Sequence, residues 1–419
     1  MKLLIGGSPC THWSIAQTKN RETEASGIGW ELFLNYRIAR DKYKPDFFLY
    51  ENNKSMSPAI RAQITAELGV EPVLINSALV SAQNRQRLYW VGKRNPDGTY
   101  SQVAVEQPVD RGILLRDILE SGAVTWHEKA YTLRASAATK QGVSNVLRHI
   151  ETNGHFGYMG VAEPVNMTVD GKAQCLRATY YKDGIRNMVG NTMDRKTCVA
   201  EPVRIGTIES KAKNTDFDSQ QYRVYSPDGK SVTLCGQGGG VGAKTGLYAV
   251  PVIPDGKGQF VIKAAGGKEI PVYEVRGGRI TIKGKTYPIK LADGFYIIRK
   301  LTVRECMRLQ TVPEEYGFPV SATQAYKMLG NGWTVDVIAH IMSHFTGLTA
   351  EPVEVLSMYD GMSCGHIALD KLGVQPWLLR YYATEIDKYA IQTTQQNYPD
   401  TVQLGDAFQV RNDDWRLEG

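Results

Sequence analysis

The chain has 419 residues, of which 42% are hydrophobic and 22% charged, and its formal net charge is +6. This composition excludes a disordered chain, and no apolar run approaches the ~20 residues of a membrane-spanning helix, so we predict a cytoplasmic protein without a membrane partner. The six cysteines include no Cys-x-x-Cys pair, which argues against a disulfide framework and a zinc knuckle.

Short apolar runs alternate with helix-like stretches at both ends of the chain. KLLIG, DFFLYE and PVLINSAL have the spacing of strands in a parallel sheet, with the helix-like WELFLNYRIARDKY and SPAIRAQITAELG between them. Near the other end, VEVLSMYD, LLRYYATEID and TVQLGD are strand-like and are separated by GHIALDKLG and KYAIQTTQQNY. The pattern predicts an α/β fold in which both chain ends contribute to a doubly wound sheet.

Residues 111–299 differ in composition: they are rich in Gly, Thr, Lys, Arg and Tyr, with short alternating runs such as GRITIKGKTYPIKL. A loose repeat recurs there as AYTLRASAATKQG, AQCLRATYYKDG and SVTLCGQGGGVGAKTG. We predict a β-rich inserted domain over 111–299, which divides the α/β domain into parts at 1–110 and 300–419. The second part opens with a helix whose start has a Thr302 and Glu305 capping box, followed by TVDVIAHIMSHF, a helix with one apolar face.

Candidate catalytic groups follow the strands of the first part. Cys10 follows Pro9 on a Gly-Gly-Ser turn and Glu51 ends the next strand, so both are expected at the carboxyl edge of the sheet. Such a turn suits a thiolate nucleophile, although an isolated Pro-Cys pair is more often a buried structural thiol. Arg85 and Arg87, in QNRQR, share one face at a period of two and suit a carbonyl or phosphate; the alternative is a solvated charged edge.

A glycine-containing turn, YDGMSCG at 359–365, joins a strand to a helix in the second part. Small residues there let backbone N–H groups approach a ligand. Glu385 ends the next strand and Asp406 the one after, where carboxylates suit ribose hydroxyls and an adenine amino group. The turn and the two acids together predict a site for an adenosine-containing cofactor.

The ordered set GGSPC, YENN, QNRQR, LTVRECMRLQ, MLGNGWTV, MYDGMSCG, ATEID and LGDAF resembles the motif series of the cytosine-C5 DNA methyltransferases. The resemblance covers nearly all of the chain outside 111–299. Thr11 and Asn53 stand where the family more often has Gln and Val. In that family the cofactor strands usually precede the Pro-Cys motif, whereas here they follow it. The sequence therefore looks circularly permuted, with FTGLTAEPVE at 345–354 as the linker between the halves.

The resemblance implies a Rossmann-like, S-adenosylmethionine-dependent methyltransferase sheet with an inserted target-recognition domain. It implies that Cys10 attacks C6 of a cytosine flipped out of duplex DNA, while Glu51 binds or protonates N3. Arg87 and Arg85 would bind the O2 side of the base. The residues implied at S-adenosylmethionine are Pro9, Asn331, Tyr359, Gly361, Met362, Glu385, Ile386, Asp406 and Ala407. The residues implied at DNA are Gln83, Arg134, Arg177, Thr233, Leu234 and Lys244.

Other hypotheses stay open on the sequence. A tRNA methyltransferase of the same fold usually has a compact recognition region, so the long insert favours DNA. A non-catalytic relative is expected to lose Cys10, Glu51 or the two arginines, all of which are present here. An oxidoreductase is expected to have the G-x-G-x-x-G that the glycine turn lacks. No metal is predicted, because His340 and His344 lack a third ligand, and Cys364 is predicted to be a buried thiol. We predict a monomer of a bacterial or phage-encoded type that binds duplex DNA, with a cognate restriction endonuclease as a candidate partner.

Overall fold

The structure, a computed structural model, describes residues 1–14, 21–120, 202–208, 220–235, 245–252, 271–415 and 417. The strands of these residues are, in chain order, β1 Lys2–Gly6, β2 Phe47–Asn53, β3 Pro72–Asn76, β4 Gln86–Arg94, β5 Tyr100–Gln102, β6 Arg204–Thr207, β7 Arg223–Tyr225, β8 Leu247–Pro251, β9 Val272–Arg276, β10 Arg279–Ile282, β11 Lys285–Pro288, β12 Gly294–Arg299, β13 Val353–Met358, β14 Leu379–Thr384 and β15 Val402–Gly405. The α-helices are α1 Gly27–Tyr43, α2 Pro58–Leu68, α3 Val303–Leu309, α4 Ala322–Asn331, α5 Val335–Met342, α6 Cys364–Lys371 and α7 Lys388–Asn397.

The larger sheet has the strand order β15-β14-β13-β1-β2-β4-β3, with β5 paired to β4. Its centre joins the two ends of the chain, because β1 pairs in parallel with both β13 and β2. β14 and β15 continue the parallel part, whereas β4 runs antiparallel to both β2 and β3. The amino group of Met1 donates to the Pro352 carbonyl at 2.7 Å, just before β13. The prediction of one sheet built from both chain ends is confirmed.

Successive side chains of the central strands pack on opposite faces of this sheet. Leu3 and Ile5 belong to the core on the face that carries α3 to α7, whereas Leu4 belongs to the core on the face that carries α1 and α2. The apolar side of α5 is fully buried, as its sequence pattern predicts. Phe345, after α5, stacks on Phe47 of β2 with ring centroids 4.7 Å apart. Helices on both faces make this the predicted doubly wound α/β arrangement.

The second sheet has the order β11-β10-β9-β12-β8-β7-β6, and its strands all lie within 111–299. Its pairs are antiparallel except β7 with β8, and it has a core cluster of its own. Leu115, Tyr225, Leu234 and Tyr248 from the same range instead belong to the core of the α/β domain. The insert is therefore packed against that domain, a contact that the turn-rich sequence pattern does not reveal. The boundaries at 110 and 299 stay a prediction.

Helix α3 begins with the predicted capping box between Thr302 and Glu305. The Glu305 side chain is fully buried and forms an ion pair of 2.7 Å with Arg299, the last residue of β12. It also accepts a hydrogen bond of 3.0 Å from the backbone N–H of Glu120. One carboxylate, just after the predicted insert, thus holds residues near both ends of the insert. None of the described helices is long and apolar enough to cross a membrane.

Candidate active site

The candidate site residues follow a single row of paired residues at the carboxyl edge of the larger sheet. Gly6 pairs with Tyr50 on one side and Met358 on the other. Met358 pairs with Thr384, which pairs in turn with Gly405. The residues that come next on these strands are Gly7, Glu51, Tyr359, Glu385 and Asp406. Because parallel strands in register end side by side, the sheet brings the Pro-Cys turn, Glu51, the glycine turn, Glu385 and Asp406 to one edge.

Glu51 is held at this edge by two donors. Its Oε1 lies 3.0 Å from Nε of Arg87, and its Oε2 accepts a hydrogen bond of 3.0 Å from the indole N–H of Trp333. The side chains of Glu51 and Arg87 are only 12% and 16% exposed. Two donors on different oxygens fix the plane of the carboxylate, and partial burial strengthens both bonds. The roles predicted for Glu51 and Arg87 on a base stay predictions, and the sequence did not single out Trp333, although it directly follows the LGNG motif.

The turn that carries Cys10 packs directly on Glu51. A Cβ atom at Gly7 would lie 2.9 Å from both the carbonyl oxygen and Oε2 of Glu51, so only glycine fits there. Asn52 donates to the Ser8 carbonyl at 3.2 Å. The chain then continues through the exposed Pro9 into a 3-10 turn, Cys10–His12. The backbone of the Pro-Cys turn is thus fixed beside the Glu51 carboxylate.

Arg85 and Gln83 lie in the loop before β4 and are both buried. Arg85 donates to the carbonyls of Leu234 at 3.2 Å, Gly330 at 3.2 Å and Gly332 at 2.9 Å. Because β4 begins only after Arg85, the expected shared strand face with Arg87 is not formed. The contacts of Arg85 with three carbonyls suit a residue that holds loops together. Its predicted contact with the base, and that of the fully buried Gln83 with DNA, stay predictions.

The glycine turn after β13 has an unusual backbone. Tyr359, Gly361 and Ser363 all have positive φ, at 61°, 61° and 57°. The N–H of Gly361 donates to Glu385 Oε2 at 2.8 Å, and Glu385 Oε1 accepts from the N–H groups of Ile386 and Asp387, both at 2.7 Å. Apart from its chain neighbours, none of the described residues has an atom within 4 Å of where a Gly361 Cβ would be. The turn therefore leaves open space beside a fixed carboxylate, which fits a nucleoside ligand.

Asp360 holds this turn in place through hydrogen bonds to its carboxylate. It was not among the residues predicted from the sequence. Its carboxylate accepts hydrogen bonds from Ser357 at 2.6 Å and Tyr381 at 2.8 Å, and from Ser363. Burial raises the pKa of Asp360 to about 6. In the sequence, Asp360 is an acid within a turn of small residues. This pattern does not by itself show whether the acid contacts a ligand or stabilises the turn.

The sequence profile of the C-5 cytosine-specific DNA methylases matches residues 1–346. The chain belongs to this family. The methylase is 25% identical to the orphan methyltransferase M.Rho11sI of Bacillus phage rho11s, over 81% of this chain and 83% of that protein. It is 24% identical to the orphan methyltransferase M.SPRI of Bacillus phage SPR, over 81% of each chain.

Two solved structures are also similar to the methylase. The Entamoeba histolytica methyltransferase EhMeth has a TM-score of 0.38 and 10% identity, over 82% of this chain and 76% of that one. The S. pombe methyltransferase Dnmt2 has a TM-score of 0.36 and 13% identity, over 81% of this chain and 76% of that one.

The remaining predicted cofactor residues of the methylase differ in exposure. Ile386 is 75% exposed and Asp406 is exposed, whereas Met362 and Ala407 are buried. Asp406 accepts a hydrogen bond of 2.9 Å from the N–H of Phe408. An exposed apolar side chain beside a strand-end acid is a suitable surface for an adenine ring, so these residues fit the implied S-adenosylmethionine.

The remaining predicted residues of the methylase, Tyr359 at this edge among them, differ in their surroundings. The Tyr359 hydroxyl donates to the Leu32 carbonyl of α1 at 2.7 Å. Asn331 is exposed at the end of α4, between the two glycine carbonyls that Arg85 binds. The Thr233 hydroxyl donates to the Asn84 carbonyl at 2.6 Å, and Leu234 is buried. Arg134, Arg177 and Lys244 lie outside the described residues, as do the first two copies of the loose repeat.

Neither Cys364 nor the histidine pair contributes to this edge. Cys364 is buried, as predicted, and burial raises the pKa of its thiol to about 12, which disfavours the nucleophilic thiolate. His340 shares a hydrogen bond of 2.7 Å with the Glu106 carbonyl, and His344 one of 2.9 Å with the His340 carbonyl. In the described parts of the chain, no three His, Cys, Asp or Glu side chains form a group able to hold a metal.

Proposed function

We propose that this methylase transfers a methyl group from S-adenosylmethionine to C5 of cytosine in duplex DNA, through a covalent adduct between Cys10 and C6. The row of paired residues carries the proposal. It ends β1, β13, β14 and β15 at one level and crosses β2 at Tyr50, so the Pro-Cys turn, Glu51 and the glycine turn come directly after it on neighbouring strands. A nucleophile, an acid and a cofactor turn on one edge are the groups that this reaction needs.

Cofactor residues are proposed from the family resemblance and from their fit at the edge. Glu385 would bind the ribose, Ile386 would pack on the adenine, and Asp406 would accept its amino group. Asn331 and the residues around Gly361 would line the methionine end, together with Tyr359, Met362, Pro9 and Ala407. When bound, S-adenosylmethionine supplies an electrophilic methyl group.

Cys10, Glu51 and Arg87 would each act on a different part of the cytosine ring. C5 of cytosine is a poor nucleophile, and addition of the Cys10 thiolate to C6 makes it enamine-like. Glu51 would hydrogen-bond or protonate N3 as the ring gains electron density, and Arg87 would bind the O2 side. Flipping the base out of the duplex costs a few kcal/mol, which contacts of the protein with DNA must offset. Loss of the C5 proton and release of Cys10 then restore the aromatic ring.

Arg85 is proposed as a positioning residue for this site. Its buried contacts with the carbonyls of Leu234, Gly330 and Gly332 support this role better than a contact with the base. Its neighbour Arg87, which contacts Glu51, is the better candidate for the base.

The order of the halves is proposed to be a circular permutation of the family. The cofactor strands, from β13 onward, come after the residues that the family profile matches, yet β13 lies beside β1 in the sheet. The orphan methyltransferases among the relatives support a methylase that works without a cognate endonuclease. The restriction endonuclease considered from the sequence stays a prediction.

Methyl transfer to DNA tests the proposed function. Purified protein is incubated with labelled S-adenosylmethionine and mixed-sequence duplex DNA, and modified cytosines are mapped by bisulfite sequencing. We expect wild type to label cytosines in a defined sequence context and Cys10→Ser to label none. Equal labelling by both proteins would overturn the role of Cys10. Labelling of tRNA without labelling of duplex DNA would favour an RNA substrate instead.

A further inference from the structure

Lys230 is a buried lysine whose ammonium group is surrounded by three backbone carbonyl oxygens. It donates to Ala78 at 2.9 Å and Ser81 at 3.0 Å, and also to Ile113. Its residue exposure is 1%. Lysine is rarely buried to this extent, and burial lowers its pKa. All three N–H donors are paired, so the side chain joins residues 78–81 of the α/β domain to Ile113 at the start of the predicted insert.

The residues after this lysine run alongside the loop that leads into β4. The Ser231 N–H donates to the Ala82 carbonyl at 2.6 Å, and the Ser231 carbonyl accepts from the Asn84 N–H at 2.9 Å. Thr233 then donates to the Asn84 carbonyl at 2.6 Å. We call residues 230–234 the coupling segment, because hydrogen bonds join it to the loop along its length.

Arg85 links the coupling segment to both residues that donate to the Glu51 carboxylate. Its guanidinium binds the carbonyl of Leu234 at the end of the coupling segment, and also those of Gly330 in the last turn of α4 and of Gly332, which directly precedes Trp333. Trp333 binds one oxygen of Glu51, and Arg87, two residues beyond Arg85, binds the other. A shift of the coupling segment would therefore move both donors of the carboxylate.

We propose that Lys230 is a positioning residue, which couples the inserted domain to the geometry of Glu51 through the coupling segment. This inference rests on the proposed function, because it concerns the rate of methyl transfer. Because the coupling segment is part of the inserted domain, binding of DNA by this domain would change the position of the segment. Lys230 then sets how well Arg87 and Trp333 orient Glu51 toward the target base.

Lys230→Met tests this proposal, with Lys93→Met as the matched control. Lys93 is exposed and lies at the far end of β4, where it pairs with Phe47. At saturating DNA we expect kcat of Lys230→Met to fall at least about tenfold, as loss of charge-assisted hydrogen bonds implies. The KM for S-adenosylmethionine should stay within about twofold, because most of the residues proposed at that site follow β13, β14 and β15. Amide hydrogen exchange of residues 77–87 should rise at least about tenfold in Lys230→Met and not in the control.

The outcomes separate this inference from the proposed function. Exchange in residues 77–87 that is unchanged by Lys230→Met would overturn the inference, whatever the activity. Wild-type kcat in Lys230→Met, with only a lower melting temperature, would also overturn it, because the lysine would then serve stability alone. Absence of methyl transfer by wild type would refute the proposed function. If Lys230→Met does not fold, the same measurements are made on Lys230→Gln, which keeps two N–H donors, with the same expected direction.

Discussion

Gly7 has no space for a side chain beside Glu51. Because its Cβ would lie 2.9 Å from two oxygen atoms of Glu51, Gly7→Ala must displace either the Pro-Cys turn or the carboxylate. We expect methyl transfer to fall about 100-fold, the order of loss for a displacement of ~1 Å. Stability should fall by about 1–3 kcal/mol, as for other overpacked sites. The assay is steady-state methyl transfer to duplex DNA, alongside thermal unfolding.

Gly317→Ala is the control for this change. A Cβ at Gly317 would meet the end of the flexible Gln396 side chain, which can move away. Its activity should match wild type. If Gly7→Ala also kept wild-type activity, the close packing of the nucleophile turn on Glu51 would have no part in catalysis.

Asp360 gives stability a specific dependence on pH. Its carboxyl has a pKa of about 6 in the folded chain against the usual 3.8, so the folded state favours the protonated form. The stability that it contributes is thus complete below pH 4 and is lost as the pH rises through 6, by roughly 3 kcal/mol. Asp360→Asn cannot ionise. We expect the wild type to lose stability relative to this variant between pH 4 and 7, as measured by urea unfolding at each pH. A difference between the two proteins that is constant over this range would contradict the assignment.

At the scale of elements, the loop before β4 depends on Arg85. Arg85→Met should lower the free energy of unfolding by about 2–4 kcal/mol, because the carbonyls of Leu234 and Gly330 lose a buried donor and that of Gly332 loses one of two donors. Arg87→Met should cost less stability, since Arg87 contacts one partly exposed carboxylate. Both variants should lose methyl transfer, and urea unfolding distinguishes them. Equal loss of stability in both would argue against the separate roles proposed for the two arginines.

The elements themselves were predictable, because strand and helix patterns are local. The strand-like runs predict that Glu51, Glu385 and Asp406 lie at one edge of the sheet. The register of the parallel strands then aligns the strand ends that carry these acids. The partners of Arg85 were not predictable. They lie at residues 234, 330 and 332, and no local pattern indicates which loops meet in space. The buried Lys230 was missed for the same reason, since a lysine in a turn-rich segment is usually solvated.

At the scale of the whole molecule, the two ends of the chain are joined at several places. β1 pairs with β13 over five residues. The carbonyl of Asn412 accepts a hydrogen bond of 2.7 Å from Lys42 of α1, and Arg411 binds Glu31 of the same helix at 2.6 Å. The nucleophile turn and the cofactor turn are thus neighbours only because the chain closes on itself. This closure is what a circular permutation of the family would require.

A covalent adduct with 5-fluorocytosine duplex DNA tests the central claim most directly. Fluorine at C5 cannot leave as a proton does, so the adduct formed after methyl transfer persists. In the presence of S-adenosylmethionine we predict a denaturant-stable complex whose mass increment lies on the tryptic peptide 3–19, at Cys10, and no complex with Cys10→Ser. A wild-type protein that methylates ordinary duplex DNA but forms no such complex, or forms it at another cysteine such as Cys235, would contradict the account.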